Sequence, residues 1–320
     1  MHSNSSMKIG LRLPQTGKHN ATKENIIHIS KEAENAGFDS LWVLERLIWP
    51  INPQTHYPGT GDGTFPADWQ YIFEPLETLT YVAANTESIA LGTSVIDMLF
   101  QNPVILARRF ATLDVLSQGR AIAGLGIGWS KDEYQASNIP FKDRGTRADE
   151  FIEALKKVWT EEVVEFKGKY YNIPASKVGP KPIQKPHIPI YLGGFSPNMF
   201  SRIVKYDIDG WLGVVGGPLE YIENSIKTIK EQANKANKDP DNFRIIMLTY
   251  PNIAESQSSS NNKDKNRFPL SGGVDEIGSD IQRIKDMGVD HIIFGYNFSP
   301  IGKDVDKMMN ISKQLSKFAK

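Results

Sequence analysis

The chain has 320 residues and balances 37 basic against 37 acidic side chains, so no net charge argues for a nucleic-acid partner or an anionic membrane surface. It holds no cysteine, which excludes disulfides, thiolate catalysis, iron–sulfur ligation and cysteine-bound zinc. With 40% apolar and 23% charged residues it has the composition of a globular domain that buries a core without staples.

Residues 1–6 are polar, lack the apolar stretch of a signal peptide, and are expected to fray ahead of a single domain spanning 7–320. No apolar run is long enough to span a bilayer, so a cytoplasmic location is expected. From there two periodicities alternate. Strands are predicted over 8–13, 40–44, 89–95, 121–125, 190–192, 210–214, 243–250 and 291–295. Helices are predicted over 23–36, 73–86, 103–117, 148–160, 197–206, 218–235, 275–287 and 304–319. Gly37, Gly119 and Gly288 stand where helices end, and Pro103, Pro197 and Pro218 where helices begin. Strands that alternate strictly with helices imply parallel pairing through helical crossovers. Eight such units without a break in composition predict an α/β fold, a (β/α)8 TIM barrel, over the alternative of an open doubly wound sheet.

Three insertions depart from the minimal unit: residues 45–71 after strand two, 162–189 after helix four, and 255–267 after strand seven. The first carries Trp49, Tyr57, Phe65 and Trp69. The second reads as a hairpin turning at Gly168 and is expected near the rim opposite the active site or on the flank. The third is polar and reads as a lid or as a solvated loop.

A barrel of this kind builds its site at the C-terminal ends of the strands. Those ends are Pro14-Gln15, Glu45-Arg46, Thr93-Ser94-Val95, the run 126–129, the run 193–196, Gly216-Gly217, Tyr250-Pro251 and Tyr296. None of the six histidines is spaced for a metal, and neither a nucleophile elbow nor a Walker loop occurs, so no metal is expected and a cofactor is expected to bring the chemistry. Gly193-Gly194-Phe195-Ser196-Pro197 joins a strand end to a helix start, where free N–H groups suit a phosphate; a tight turn with a serine cap explains it equally well. The run Gly124-Leu125-Gly126-Ile127-Gly128-Trp129 fails as a dinucleotide fingerprint, because Trp129 stands at the third glycine. It reads instead as room in the barrel mouth for a flat group, or as space for bulky neighbours. Glu45 places a carboxylate near the mouth, and Arg46 either forms a structural ion pair or contacts an anion.

Several segments carry a family resemblance: 33–43, 74–79, Leu91-Gly92-Thr93-Ser94-Val95, Asn102-Pro103-Val104, 116–120, 124–129 with Glu133-Tyr134, 180–186, 190–194 and Asp209-Gly210-Trp211. In order and spacing the chain resembles the bacterial luciferase-like oxidoreductases, barrels that use FMN or the deazaflavin coenzyme F420, and is closest to the branch of F420-dependent oxidoreductases. The resemblance implies a bulge, often a non-prolyl cis peptide, at Ser94-Val95 behind the ring system, with Thr93 beside it. It implies a phosphate turn at Gly193, Gly194, Phe195 and Ser196, an acid near the ring at Glu45, and cofactor-lining positions at Gly126, Gly128, Trp129, Glu133 and Arg147. Sugar-phosphate dehydrogenases of this family place a histidine and a glutamate where Arg46 and Trp129 stand, so glucose 6-phosphate is not expected as substrate.

The expected function is F420-dependent hydride transfer to or from a small organic substrate, with Glu45 and Arg46 as the candidate catalytic pair. An FMN-dependent monooxygenase fed by a separate reductase is the alternative, and a flavin-binding protein without turnover the second. The resemblance also implies a homodimer.

Overall fold

The structure, a computed structural model, describes residues 6–253 and 267–320. The candidate lid, apart from Arg267, lies outside the described residues.

The strands are β1 (Lys8–Arg12), β2 (Ser40–Val43), β3 (Ala90–Thr93), β4 (Ala121–Gly126), β5 (Ile190–Gly193), β6 (Gly210–Val214), β7 (Arg244–Thr249) and β8 (His291–Phe294). Each pairs in parallel with its neighbours in chain order, β1 pairs with β8, and β3 pairs with β4 through Leu91 and Ala121. The sheet is therefore closed, and the open doubly wound alternative is excluded. The crossovers are α1 (Lys23–Asn35), α2 (Pro75–Ala83), α3 (Pro103–Leu116), α4 (Arg144–Thr160), α5 (Pro197–Lys205), α6 (Glu220–Lys235), α7 (Val274–Asp286) and α8 (Val305–Leu315).

Local chemistry sets the boundaries. Thr22, Asn102, Ser196 and Asp304 each accept a first-turn N–H with the side chain, and Pro103 and Pro197 open their helices where no N–H is needed. Pro218 instead lies ahead of α6, which Leu219 precedes without a side-chain cap. The hairpin forms as Val164–Lys167 against Asn172–Ser176. Its turn is held by Glu150 of α4, which accepts from the N–H groups of Lys169 at 2.9 Å and Tyr170 at 2.8 Å. Because Glu150 lies in the second turn of α4, the hairpin climbs the flank toward the mouth and does not sit at the far rim.

Most apolar side chains pack between strands and helices, while a smaller cluster of Trp42, Leu212, Ile246, Leu248 and Ile293 fills the barrel itself. Trp42 fits because Gly10 and Gly92 leave the space it occupies; a Cβ on Gly10 would stand 2.6 Å from the indole nitrogen. At the closed end the Trp42 Nε1–H donates to Ser40 Oγ at 2.6 Å, and Ser40 Oγ lies 2.8 Å from His291 Nε2. The serine hydroxyl thus links the indole to the histidine at the floor of the barrel. Burial, with Lys8 nearby, pushes His291 down to about 3.

The consequence for stability has a definite sign. The folded chain refuses a proton that an unfolded histidine accepts near 6.5, so stability falls as the pH drops from that value toward 3. His291→Gln is expected to flatten the acid-side decline of Tm between about pH 6.5 and 4. Thermal denaturation curves that run parallel for the two proteins would contradict this.

Candidate active site

The mouth is built around the end of β3. After Thr93 the chain passes through a cis Ser94-Val95 peptide and Ile96–Asp97 rejoins the sheet beside β4. The resemblance implied that bulge, and its surroundings explain the small residues near it. A Cβ on Gly124 would collide with the Thr93 carbonyl, one on Gly126 would lie 2.7 Å from Val95 Cγ2, and one on Gly193 3.0 Å from Val95 Cγ1. The glycines thus make room for the chain's own bulge, which corrects the reading of an open slot on β4. Gly128, at φ 74°, lies against Phe100, whose Cζ an added Cβ would approach to 2.9 Å. Thr93 is fully buried and bridges β3 to β4 through Gly124, donating to its carbonyl at 2.7 Å and accepting its N–H at 3.0 Å. Within the bulge itself Thr93 and Ser94 are buried and Val95 keeps a partly open face.

Beside the bulge, one arginine holds two buried acids. Arg46 Nη2 lies 3.0 Å from Asp97 Oδ2 and 3.1 Å from Glu133 Oε2, and its Nε donates to the Glu45 carbonyl at 2.8 Å. Arg46 and Glu133 are buried side chains, so the ion-pair reading of Arg46 holds, with partners other than the Glu45 carboxylate. Glu133 is wholly enclosed and also accepts from Leu47 N at 2.8 Å; it organises the loop and has no face toward a ligand. Glu45 accepts from Asp97 N at 2.8 Å and from Gln101 Nε2 at 3.2 Å. Burial, reinforced by the charge of Asp97, pushes Glu45 up to about 8. Burial also raises Asp97 and Glu133 against the pull of Arg46. Asp97 and Glu133 share the guanidinium directly while the Glu45 carboxyl does not touch it, so Glu45 is the carboxyl of the three placed to hold a proton.

The 45–71 segment folds over this cluster as an aromatic roof. Tyr57 packs against Trp69 at 4.8 Å, Trp129 at 5.5 Å and Phe65 at 6.0 Å between ring centres, and Phe298 stacks at 6.2 Å. The Arg46 guanidinium lies 5.1 Å from the Trp129 ring and 5.6 Å from Trp69. Such contacts pack the guanidinium against ring faces and build a largely apolar wall.

On the far side of Val95, β5 ends in the corner Gly194-Phe195-Ser196, all three residues exposed. Gly194 has φ 123°, a conformation that L side chains avoid, and a Cβ there would meet only Met199 Cγ at 3.7 Å. Its carbonyl is turned inward and accepts from Trp211 Nε1 at 2.8 Å, while Ser196 Oγ caps α5 by accepting from Met199 N at 3.2 Å. Among the described residues no protein acceptor takes the N–H groups of Gly194, Phe195 or Ser196. Arg147 lies elsewhere in the contact pattern, its guanidinium 4.4 Å from the Tyr170 ring of the hairpin and 5.9 Å from Tyr171.

Sequence reasoning overlooked Arg12, the last residue of β1, which donates from Nη2 to the Ser94 carbonyl at 2.6 Å and from Nη1 to Tyr250 OH at 2.8 Å. A lone cation ending an apolar strand was the available signal. Asp97 went unassigned because its partner Arg46 is distant in sequence. Among the described residues there is no group of side chains arranged to hold a metal, and no helix is long and apolar enough to cross a membrane.

Comparisons with known proteins agree with this architecture. The family described as luciferase-like monooxygenase matches residues 6–263. The chain spans 64% of the length of the first curated relatives it matches, uncharacterized mycobacterial proteins 34% identical over 181 residues, or 56% of this chain. An F420-dependent glucose-6-phosphate dehydrogenase of Amycolatopsis mediterranei is 31% identical over 234 residues, 71% of this chain and 65% of that protein. A solved F420-dependent secondary alcohol dehydrogenase, in complex with an F420-acetone adduct, superposes with TM-score 0.77 at 19% identity, covering 99% of this chain and all of that one. A monooxygenase from Streptomyces bottropensis gives 0.77 at 21% identity, with 97% and 98% covered. Identities this low speak for the barrel alone.

Two outcomes follow from the acid cluster. Arg46→Met strands Asp97 and Glu133 without a counter-ion and is expected to cost about 3–5 kcal/mol at neutral pH, less near pH 5 where the carboxyls gain protons; urea unfolding at both pH values measures it. Glu45 should show a protonated carboxyl stretch in the infrared that disappears with a midpoint near 8 and is missing in Glu45→Gln. A midpoint near the ordinary carboxylate range would mean that the pocket is wet.

Proposed function

The chain belongs to the luciferase-like monooxygenase family, and from that premise we propose that it is an oxidoreductase holding coenzyme F420 across the barrel mouth for hydride transfer with a small organic substrate. The observation that carries this reading is the corner at Gly194, Phe195 and Ser196, whose exposed amides lack protein acceptors at the start of a helix. Unsatisfied N–H groups with the positive end of a helix dipole suit a phosphate, and glycine leaves the approach open. The residues therefore fit the anionic tail of F420. Val95 offers an apolar face between that corner and Glu45, where the ring system would rest.

Bound there, the deazaflavin supplies the hydride donor or acceptor. The chain's own residues orient it and keep water out. The roof of Tyr57, Trp69 and Trp129 shields the mouth, and Glu45 holds a proton beside it at neutral pH. Proximity of bound donor and acceptor then provides most of the acceleration. Arg46 serves by fixing Asp97 and Glu133; with Nε, Nη2 and its ring contacts committed, only the enclosed Nη1 remains without a partner. Arg46 and Trp129 at positions where sugar-phosphate dehydrogenases carry a histidine and a glutamate argue against glucose 6-phosphate as substrate.

The aromatic roof also favours a second reading, oxygen-dependent monooxygenation with reduced FMN, which needs a water-poor site. Titrating purified protein with F420 and with FMN, each oxidised and reduced, by fluorescence quenching separates the two. Tighter F420 binding without oxygen uptake is expected; preferential FMN binding with oxygen consumption would transfer the assignment. Ser196→Glu places like charge at the phosphate and is expected to weaken either cofactor at least about tenfold, ~1.4 kcal/mol. Unchanged affinity would locate the anchor elsewhere.

A further inference from the structure

Three arginines are buried among the described residues: Arg12, Arg46 and Arg202. Arg46 meets Asp97 and Glu133, and Arg202 meets Asp149 at 2.5 Å. Arg12, only 5% exposed, has no carboxylate partner among the described residues. Its bonds go to neutral acceptors: the Ser94 carbonyl at 2.6 Å, Ser94 Oγ at 3.3 Å, Tyr250 OH at 2.8 Å and Asn297 Oδ1 at 3.4 Å. Its enclosed Nε has no partner at all. A guanidinium taken out of water without a counter-charge costs several kcal/mol, and neutral dipoles offset only part of it.

Arg12 lines a cavity of about 270 Å³ between the ends of β1 and β8, together with Thr16, Asn20 and Asn297. At roughly 30 Å³ per water, that space holds a small organic molecule. Asp68 and Lys303, of opposite charge, are both exposed at its edge, so the buried charge in its lining is that of Arg12. The Ser94 carbonyl that Arg12 grips belongs to the residue preceding Val95, so the cavity adjoins the face assigned to the cofactor ring.

We propose that this cavity is the substrate subsite and that Arg12 receives the carboxylate of a small organic acid. This deepens the proposed function, resting on it for the word substrate, while the binding itself needs no cofactor. The Nη1 bond to Asn297 Oδ1, a residue that also lines the cavity, is long at 3.4 Å, so a carboxylate would take that neutral acceptor's place and bring the missing counter-charge. Asn20, Thr16 and Asn297 supply neutral polar contacts around it, and the apolar wall of Phe298 covers the rest.

The test uses the full chain, labelled with ¹⁵N-arginine and free of cofactor, titrated with benzoate and with its neutral isostere benzamide. Arg12→Lys identifies the Arg12 Nε–H resonance. Benzoate is expected to shift that resonance saturably and benzamide to leave it in place. Lys303→Glu, an exposed change at the cavity edge, is expected to weaken benzoate about threefold. Should Arg12→Lys not fold, that weakening, seen against an unchanged benzamide response, carries the test. An unmoved resonance, equal responses to both probes, or benzoate binding indifferent to Lys303→Glu would overturn the subsite. Because F420 binding is measured separately, loss of the cofactor reading and loss of this subsite are distinguishable.

Discussion

The desolvated charge at Arg46 is the constraint on which the mouth depends. Its guanidinium ties together three segments that share no hydrogen-bonded ladder: the start of the 45–71 roof, the bulge at Asp97, and the short helix Lys131–Ala136 through Glu133. Each carboxyl in that cluster would rather be in water or protonated, and burial raises all three. Their shared cation makes the arrangement tolerable, and the leftover proton demand settles on Glu45. Burial, reinforced by the charge of Asp97, thereby favours the protonated form of Glu45, the group nearest the proposed chemistry.

Steric complementarity does for the backbone what Arg46 does for charge. The bulge at Ser94-Val95 exists in this form because β4 and β5 carry glycine where it presses against them. Val95 can then present its remaining face upward, while Arg12 holds the Ser94 carbonyl from the opposite side. One short segment of β3 is thus positioned by β1, β4 and β5 together, which is how a closed barrel makes a rigid floor from separate strands.

Around that floor the mouth divides into regions of different character. At the end of β5 it offers amide hydrogens and a helix start, at the end of β2 acids and aromatic rings, and between β1 and β8 an unpaired guanidinium beside a cavity. The proposed cofactor, with its anionic tail, and the proposed acidic substrate would meet complementary surfaces without competing for the same groups.

How much of this was legible in the sequence follows from the range of each interaction. Strand and helix order, barrel closure and the corner at Gly193 to Ser196 rest on local periodicity, caps and glycine placement, and these are written along the chain. The bulge at Ser94-Val95 came through family resemblance, since no local pattern encodes it, whereas Glu45 was placed at the mouth by its position at a strand end and the resemblance added only its role near the ring. The purpose of Gly124 and Gly126, the partners of Arg46, the climb of the hairpin and the isolation of Arg12 were decided only by tertiary structure. Each depends on which residues from distant strands meet at the rim, and on how little water remains there. Sequence order determined where the chain turns; closure of the barrel determined which charges are left to face one another.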